Sequence, residues 1–181
     1  MALVTVLYAL AYGPGSAALQ TRKREQCVEQ LKQMHSVLQL YASDHEGAFP
    51  EADGPTSESA LSRLVPSCTT DTSVFICPGS GLAALPAAKP FADRRISYAY
   101  CAGLKRDSDP GALLVADRLA NPRLVLKGDA LFSLSGTGAG SNHRKLGGNL
   151  LFVDGHVETA PAIAERPVSI PAGATLLNPK P

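Results

Sequence analysis

His143, Asp154 and His156 are the residues whose types and nearness first suggest chemistry. Imidazole and carboxylate are ligands for zinc or iron and can move protons in hydrolysis. Local pattern favours a structural role for them. Asp154-Gly155 separates two alternating runs, Asn149 to Val153 and His156 to Thr159. Asp-Gly in that setting signals a hairpin, expected here as a type I′ turn with positive φ at both central residues. Asp154 would bond the turn backbone, and His156, starting the return strand, is expected to be exposed. The chain has four cysteines, Cys27, Cys68, Cys77 and Cys101. None forms a Cys-x-x-Cys pair, which speaks against a zinc site. An even count suits an exported chain with two disulfides, the alternative being four free or buried thiols. Leu113 to Asp117 and Leu150 to Asp154 are look-alike apolar strands, each ending in Asp. Side by side in the same direction, they would bring the two carboxylates together, with His143 bridging them. No serine sits in a nucleophile-elbow context, no carboxylate pair is poised for acid-base work, and no phosphate-binding glycine motif occurs.

These residues need elements to position them. Ser16 to Ser43 reads as one helix. Its apolar stripe of Cys27, Leu31, Met34, Leu38 and Tyr41 lies on one face, with Arg22, Lys23, Arg24, Glu29, Lys32 and Gln39 opposite. The narrow stripe predicts a helix laid on a sheet, and Gly47 supplies the stop. The basic run at Arg22 to Arg24 reads as a solvated face, or as a contact with anionic headgroups if the apolar end inserts. From Glu51 to Pro90 the pattern is irregular, with a short helix at Ser59 to Val65 and a short strand at Val74 to Cys77. Gly79 to Pro90 is a loop. The pattern then turns to β at Ile96 to Cys101, Ala112 to Ala116 (a continuous apolar run, hence central) and the Asp-Gly hairpin. Arg123 to Lys127 also alternates. Five prolines after Ala160 predict an extended tail. The net charge of +1 gives no reason to expect nucleic acid as a partner. A hydrophobic share of 45% is enough for a core, and 16 glycines with 14 prolines suit a loop-rich sheet protein. Ala2 to Tyr12 is uncharged and apolar, too short alone to span a bilayer, and resembles the core of a signal peptide.

Five motifs in order carry a wider resemblance. They are Cys27-Val28-Glu29-Gln30-Leu31-Lys32-Gln33, Leu40-Tyr41 through Gly47-Ala48-Phe49-Pro50, and Phe75-Ile76-Cys77-Pro78. Ser97-Tyr98-Ala99-Tyr100 with Leu113 to Asp117 follows, and then His143 through Gly147-Gly148 to Asp154-Gly155. From Cys27 to Glu158 the chain resembles the prepilin-type H-x9-DG domain, a branch of the type II secretion pseudopilins within the type IV pilin superfamily. Ten residues separate His143 from Asp154, one more than the family name implies. A prepilin carries a basic leader and a glutamate four residues into its mature helix. Thr5 stands at that position if the mature chain starts at Met1. A truncated or atypically exported prepilin is the first expectation, and a cleaved signal peptide the second.

The resemblance implies a pilin-like α+β fold, with a long N-terminal helix packed on an antiparallel sheet and a loop-rich C-terminal region. Residues 1–47 would form the helical spine with its apolar start, 48–160 the globular β domain and 161–181 a Pro-rich extended tail. The implied function is a non-enzymatic subunit of a type II secretion pseudopilus or pilus-like filament. Its partners would be itself or other pseudopilins through the N-terminal helix, at the inner membrane or in an extracytoplasmic filament. An exported binding module or adhesin-like minor subunit, using the loops Gly79 to Pro90 and Gly136 to Gly140, is the alternative. A metal-dependent hydrolase on His143, Asp154 and His156 comes third. Within the family pattern, His143, Gly147, Gly148, Asp154 and Gly155 would fix the signature loop, with His143 beside Asp154. Cys27 and Cys77 match family positions and Cys68 and Cys101 are extras. The implied pairing is therefore Cys27–Cys77 with Cys68–Cys101, and Cys68–Cys77 is the competitor. Calcium at Asp117, Asp129 and Asp154 is implied by the calcium sites of such pseudopilins, since carboxylates are hard oxygen ligands.

Overall fold

The computed structural model describes residues 14–181 except Leu124. The apolar start at Ala2 to Tyr12 lies outside the described residues. Helix α1 spans Pro14–Asp44. Its stripe is buried as the spacing requires: Cys27, Leu31, Met34 and Leu38 are fully covered and Tyr41 nearly so. The helix stops where Glu46 and Gly47 both take positive φ and the Gly47 N–H donates to the Ala42 carbonyl at 2.8 Å. A short helix α2, Ser57–Leu61, runs into a 3-10 turn at Ser62–Leu64.

The sheet has five strands: β1 Tyr98–Ala102, β2 Leu113–Asp117, β3 Gly148–Phe152, β4 Val157–Ala160 and β5 Thr175–Leu177. Their order is β4-β3-β2-β1-β5, and every neighbouring pair is antiparallel. The protein is therefore α+β, one long helix on an antiparallel sheet. The three central strands are buried at every position. That follows from cover on both faces. Tyr98, Tyr100, Leu114 and Leu151 join the core beneath α1. Ala99, Leu113, Ala116, Leu150 and Phe152 form a second core with Leu119, Leu131, Phe132 and Ala164 from the long connections. Two-sided burial explains the unbroken apolar run before Asp117. The Pro-rich tail supplies β5 and is held by Glu58, fully buried, whose carboxylate accepts the backbone N–H of Ile96 at 3.2 Å and of Lys180 at 2.9 Å.

Three expected elements differ. Val74 to Cys77 is not a strand, because Thr72–Phe75 winds into a 3-10 turn capped by Asp71, whose carboxylate accepts the Ser73 N–H. The described residues of Arg123 to Lys127 form turns and bends, not a strand, because they cross the second core's rim and Asp129 caps the Leu126 N–H. The Asp154-Gly155 turn is not type I′. Only Gly155 has positive φ, at 90°, and Gly155 N–H donates to Phe152 while Phe152 N–H donates to His156. That is a three-residue loop closed by a left-handed glycine. Gly155 is required for a second reason: a Cβ there would lie 2.7 Å from the His35 ring of α1.

Candidate metal centre

Four residues from four segments meet beneath α1. Cys27 comes from near the middle of the helix. Cys77 follows the Thr72–Phe75 turn, fixed by its N–H donating to Ser97 Oγ at 2.9 Å. Asp117 ends β2, and His143 opens the 3-10 turn Arg144–Leu146 that leads into β3. Their sulfur, nitrogen and carboxylate oxygen atoms all lie within 4.8 Å of one another. None of the four is more than 1% exposed.

Asp117 is the anchor. Its Oδ1 accepts the Asn142 side-chain amide at 2.7 Å, and its Oδ2 accepts the Asn149 N–H at 2.8 Å and side-chain amide at 3.1 Å. His143 Nε2 sits 3.2 Å from Asp117 Oδ2 and 3.3 Å from Cys77 Sγ. Cys27 Sγ lies 3.5 Å from Asp117 Oδ1 and 3.2 Å from the Tyr98 hydroxyl. The loop is held closely. A Cβ on Gly79 would fall 2.2 Å from the Asn142 carbonyl oxygen and 2.8 Å from His143 Nδ1. Arg24 donates to the Leu146 carbonyl at 2.6 Å, and Asn149 donates to the Arg24 carbonyl at 3.3 Å, tying the signature loop to the helix.

Electrostatics follow from burial. Burial opposes charge on His143, but the hydrogen bond and negative charge of Asp117 outweigh it and carry the imidazole up to about 9. Burial likewise opposes charge on Asp117, but His143, Asn142 and Asn149 hold the carboxyl below its ordinary value. Burial pushes the Cys27 and Cys77 thiols up, and the Asp117 charge adds to that. Without a cation, both cysteines are thus neutral thiols, the opposite of an activated nucleophile. Geometry also disfavours a Cys-His-Asp relay. Such a relay places thiol and carboxylate on different ring nitrogens. Here Cys77 and Asp117 both approach Nε2, while buried Nδ1 has no protein partner. The imidazole is aimed at the centre of the group.

The expected site residues separate accordingly. His143 does not meet Asp154; it meets Asp117. The reason is strand direction: β2 and β3 are antiparallel, with Ala116 opposite Leu150 and Leu113 opposite Phe152. Asp117 and Asp154 therefore sit at opposite ends of the pair. Asp154 is exposed and accepts the His156 N–H at 3.0 Å. Its ring partner is His156, also exposed. The hydrolase grouping of His143, Asp154 and His156 is not assembled. The calcium grouping is not assembled either, since Asp117 lies with Cys27, Cys77 and His143, Asp129 caps its own loop and Asp154 its own turn. All four cysteines are free, so neither Cys27–Cys77 nor Cys68–Cys101 nor Cys68–Cys77 is bridged. Gly147 and Gly148 are both needed for close approach. A Cβ on the first would lie 2.0 Å from the Ala160 carbonyl oxygen and on the second 2.5 Å from the Phe132 ring.

Asn142 and Asn149 had no distinguishing signal except adjacency to His143 and to the Gly-Gly pair. The cluster itself had one. Cys27, Cys77, Asp117 and His143 each belong to a different motif of the five quoted, and Tyr98 shares the motif of Asp117. Comparison with known proteins returned no match: no family model, no curated protein and no solved structure matches this chain.

Proposed function

We infer that this chain is a non-enzymatic structural subunit of a pilus-like filament of the type II secretion pseudopilus kind. It would work in the cell envelope, with its N-terminal segment packed against other subunits or in the inner membrane. One observation supports the reading most directly. The first part of helix α1 is only thinly covered: from Ala17 to Gln26 no residue is buried and Leu19 is 52% exposed, the cover on its inner side coming from the signature loop through Arg24 and Gln20. Those ten residues make about 15 Å of helix before Cys27 enters the core. The exposed side of that segment, with Leu19 on it, offers a surface for copies of itself. Among the described residues, no helix is long and apolar enough to cross a membrane.

The test is assembly of the full chain in lipid vesicles or detergent, followed by cross-linking and electron microscopy. Concentration-dependent filaments or ladders are expected, and Leu19→Glu should reduce them without changing the melting temperature. A chain that stays monomeric throughout would sink the proposal. Saturable ligand binding through the Gly79 to Pro90 or Gly136 to Gly140 loops would favour a binding module instead. Metal-dependent turnover lost in His143→Ala would favour the hydrolase.

A further inference from the structure

We propose that Cys27, Cys77, Asp117 and His143 form a closed tetrahedral zinc site that fastens the long helix to the sheet. The donor set is complete and comes from four segments distant in sequence. Zinc bonds to sulfur, nitrogen and oxygen of about 2.0–2.3 Å place tetrahedral ligand atoms about 3.3–3.8 Å apart. With Asp117 Oδ2 as the carboxylate ligand, three of the six separations lie close to that range: 3.2 Å from His143 Nε2 to Oδ2, 3.7 Å from Cys27 Sγ to Oδ2 and 3.3 Å from His143 Nε2 to Cys77 Sγ; the other three are within 4.8 Å. A single ring nitrogen faces two of the other three donors, Asp117 and Cys77, which is how a ligating imidazole points and not how a proton relay is built.

Ligand chemistry selects the ion. Two sulfurs disfavour calcium and magnesium, which take hard oxygen ligands. A tetrahedral mixed sulfur and nitrogen site suits zinc. Four protein ligands with no solvent access leave no open coordination position, so the site is structural and not hydrolytic. Its surroundings support the carboxylate and one thiol, whereas buried His143 Nδ1 has no protein partner. The Asn142 and Asn149 amides orient the carboxylate, and the Tyr98 hydroxyl lies 3.2 Å from the Cys27 sulfur. Loading displaces the thiol protons of Cys27 and Cys77 and the Nε2 proton of His143 to solvent, leaving the imidazole proton on Nδ1.

The proposal is independent of the filament reading, because a helix clamp is useful in any function of this fold. It is tested on the full chain, purified under reducing conditions, stripped with chelator and reloaded with zinc or cobalt(II). One zinc per chain is expected, with a higher melting temperature and two thiols shielded from a thiol reagent until chelator is added. Cobalt should give thiolate-to-metal charge-transfer absorption. Cys77→Ser and His143→Gln should lose tight binding at least tenfold, whereas Cys68→Ala and Cys101→Ala should keep full stoichiometry. If the cluster variants do not fold, zinc protection of Cys27 and Cys77 in the unaltered chain, located by mass spectrometry after alkylation, decides the matter. Sub-stoichiometric zinc without a thiolate band would overturn the proposal. So would zinc that protects Cys68 or Cys101 instead, or a Cys27–Cys77 disulfide that forms equally fast with and without zinc.

Discussion

Asp117 gathers more of the buried polar contacts than any other side chain near the helix. It accepts from Asn142 and twice from Asn149, and it pairs with His143, all with no solvent access. Removing one partner from such a group leaves the others facing nothing suitable. Asp117→Asn keeps the volume but replaces one acceptor oxygen by a donor amide and leaves His143 without its counter-charge. Breaking a buried pair in this way costs about 3–5 kcal/mol. In urea unfolding of chelator-treated protein, Asp117→Asn is expected to fall by that amount, and a loss under about 1 kcal/mol would show that the carboxylate does not organise the loop. Residue-level reading of the sequence finds His143 and both cysteines; of the two carboxylates that His143 is expected to bridge, it meets Asp117 and not Asp154. His143 was matched to Asp154 because the two share one signature. The Cys27–Cys77 disulfide is implied only by the family positions of the two cysteines, and both are free thiols. Proximity along the chain is a poor guide where the two strands are antiparallel, and no local pattern encodes that Asn142 and Asn149 point at Asp117.

Helix α1 was the most legible element, because a 3.6-residue period over 15 positions is hard to produce by chance and its stripe needs a sheet to cover it. The strands around Tyr98, Leu113 and Leu150 were legible for similar reasons, to within two residues. Thr72–Phe75 and the Arg123 to Lys127 region were not. Short apolar runs have no period long enough to distinguish strand from turn, and capping by Asp71 or Asp129 decides the outcome. The helix-on-sheet packing makes a paired prediction. Leu31 is fully buried in the main core, whereas its neighbour Lys32 is exposed and holds only a surface ion pair with Glu29 at 2.9 Å. Leu31→Asp should lower stability by several kcal/mol, since an unpaired carboxylate cannot be buried cheaply. Lys32→Asp loses a pair worth under about 1 kcal/mol. Equal melting temperatures for the two variants would be incompatible with α1 lying on the sheet by this face.

At the scale of the whole molecule, the last strand completes both the sheet and the core. β5 covers the outer edge of β1, with Leu177 opposite Tyr100 and Thr175 opposite Ala102. Composition predicted an extended tail but not its pairing, because five prolines signal extension and say nothing about which edge receives it. The tail is anchored by more than backbone ladders. Leu177 is buried in the core beneath α1, Asn178 exchanges side-chain hydrogen bonds with both backbone groups of Leu119, and Glu58 accepts the Lys180 N–H. An open edge on β1 would present unpaired backbone groups to other chains. Leu177→Asp should therefore destabilise by a few kcal/mol and speed amide exchange in Tyr98–Ala102, while the β3–β4 hairpin stays protected longer because its pairing with β2 is untouched. Thr175→Asp, on the same strand but exposed, should leave exchange in β1 nearly unchanged. Two results would argue against the tail as a structural strand: equal exchange in β1 for both variants, or no difference from the unaltered chain. The contrast between the two substitutions separates burial of one side chain from simple disturbance of an edge.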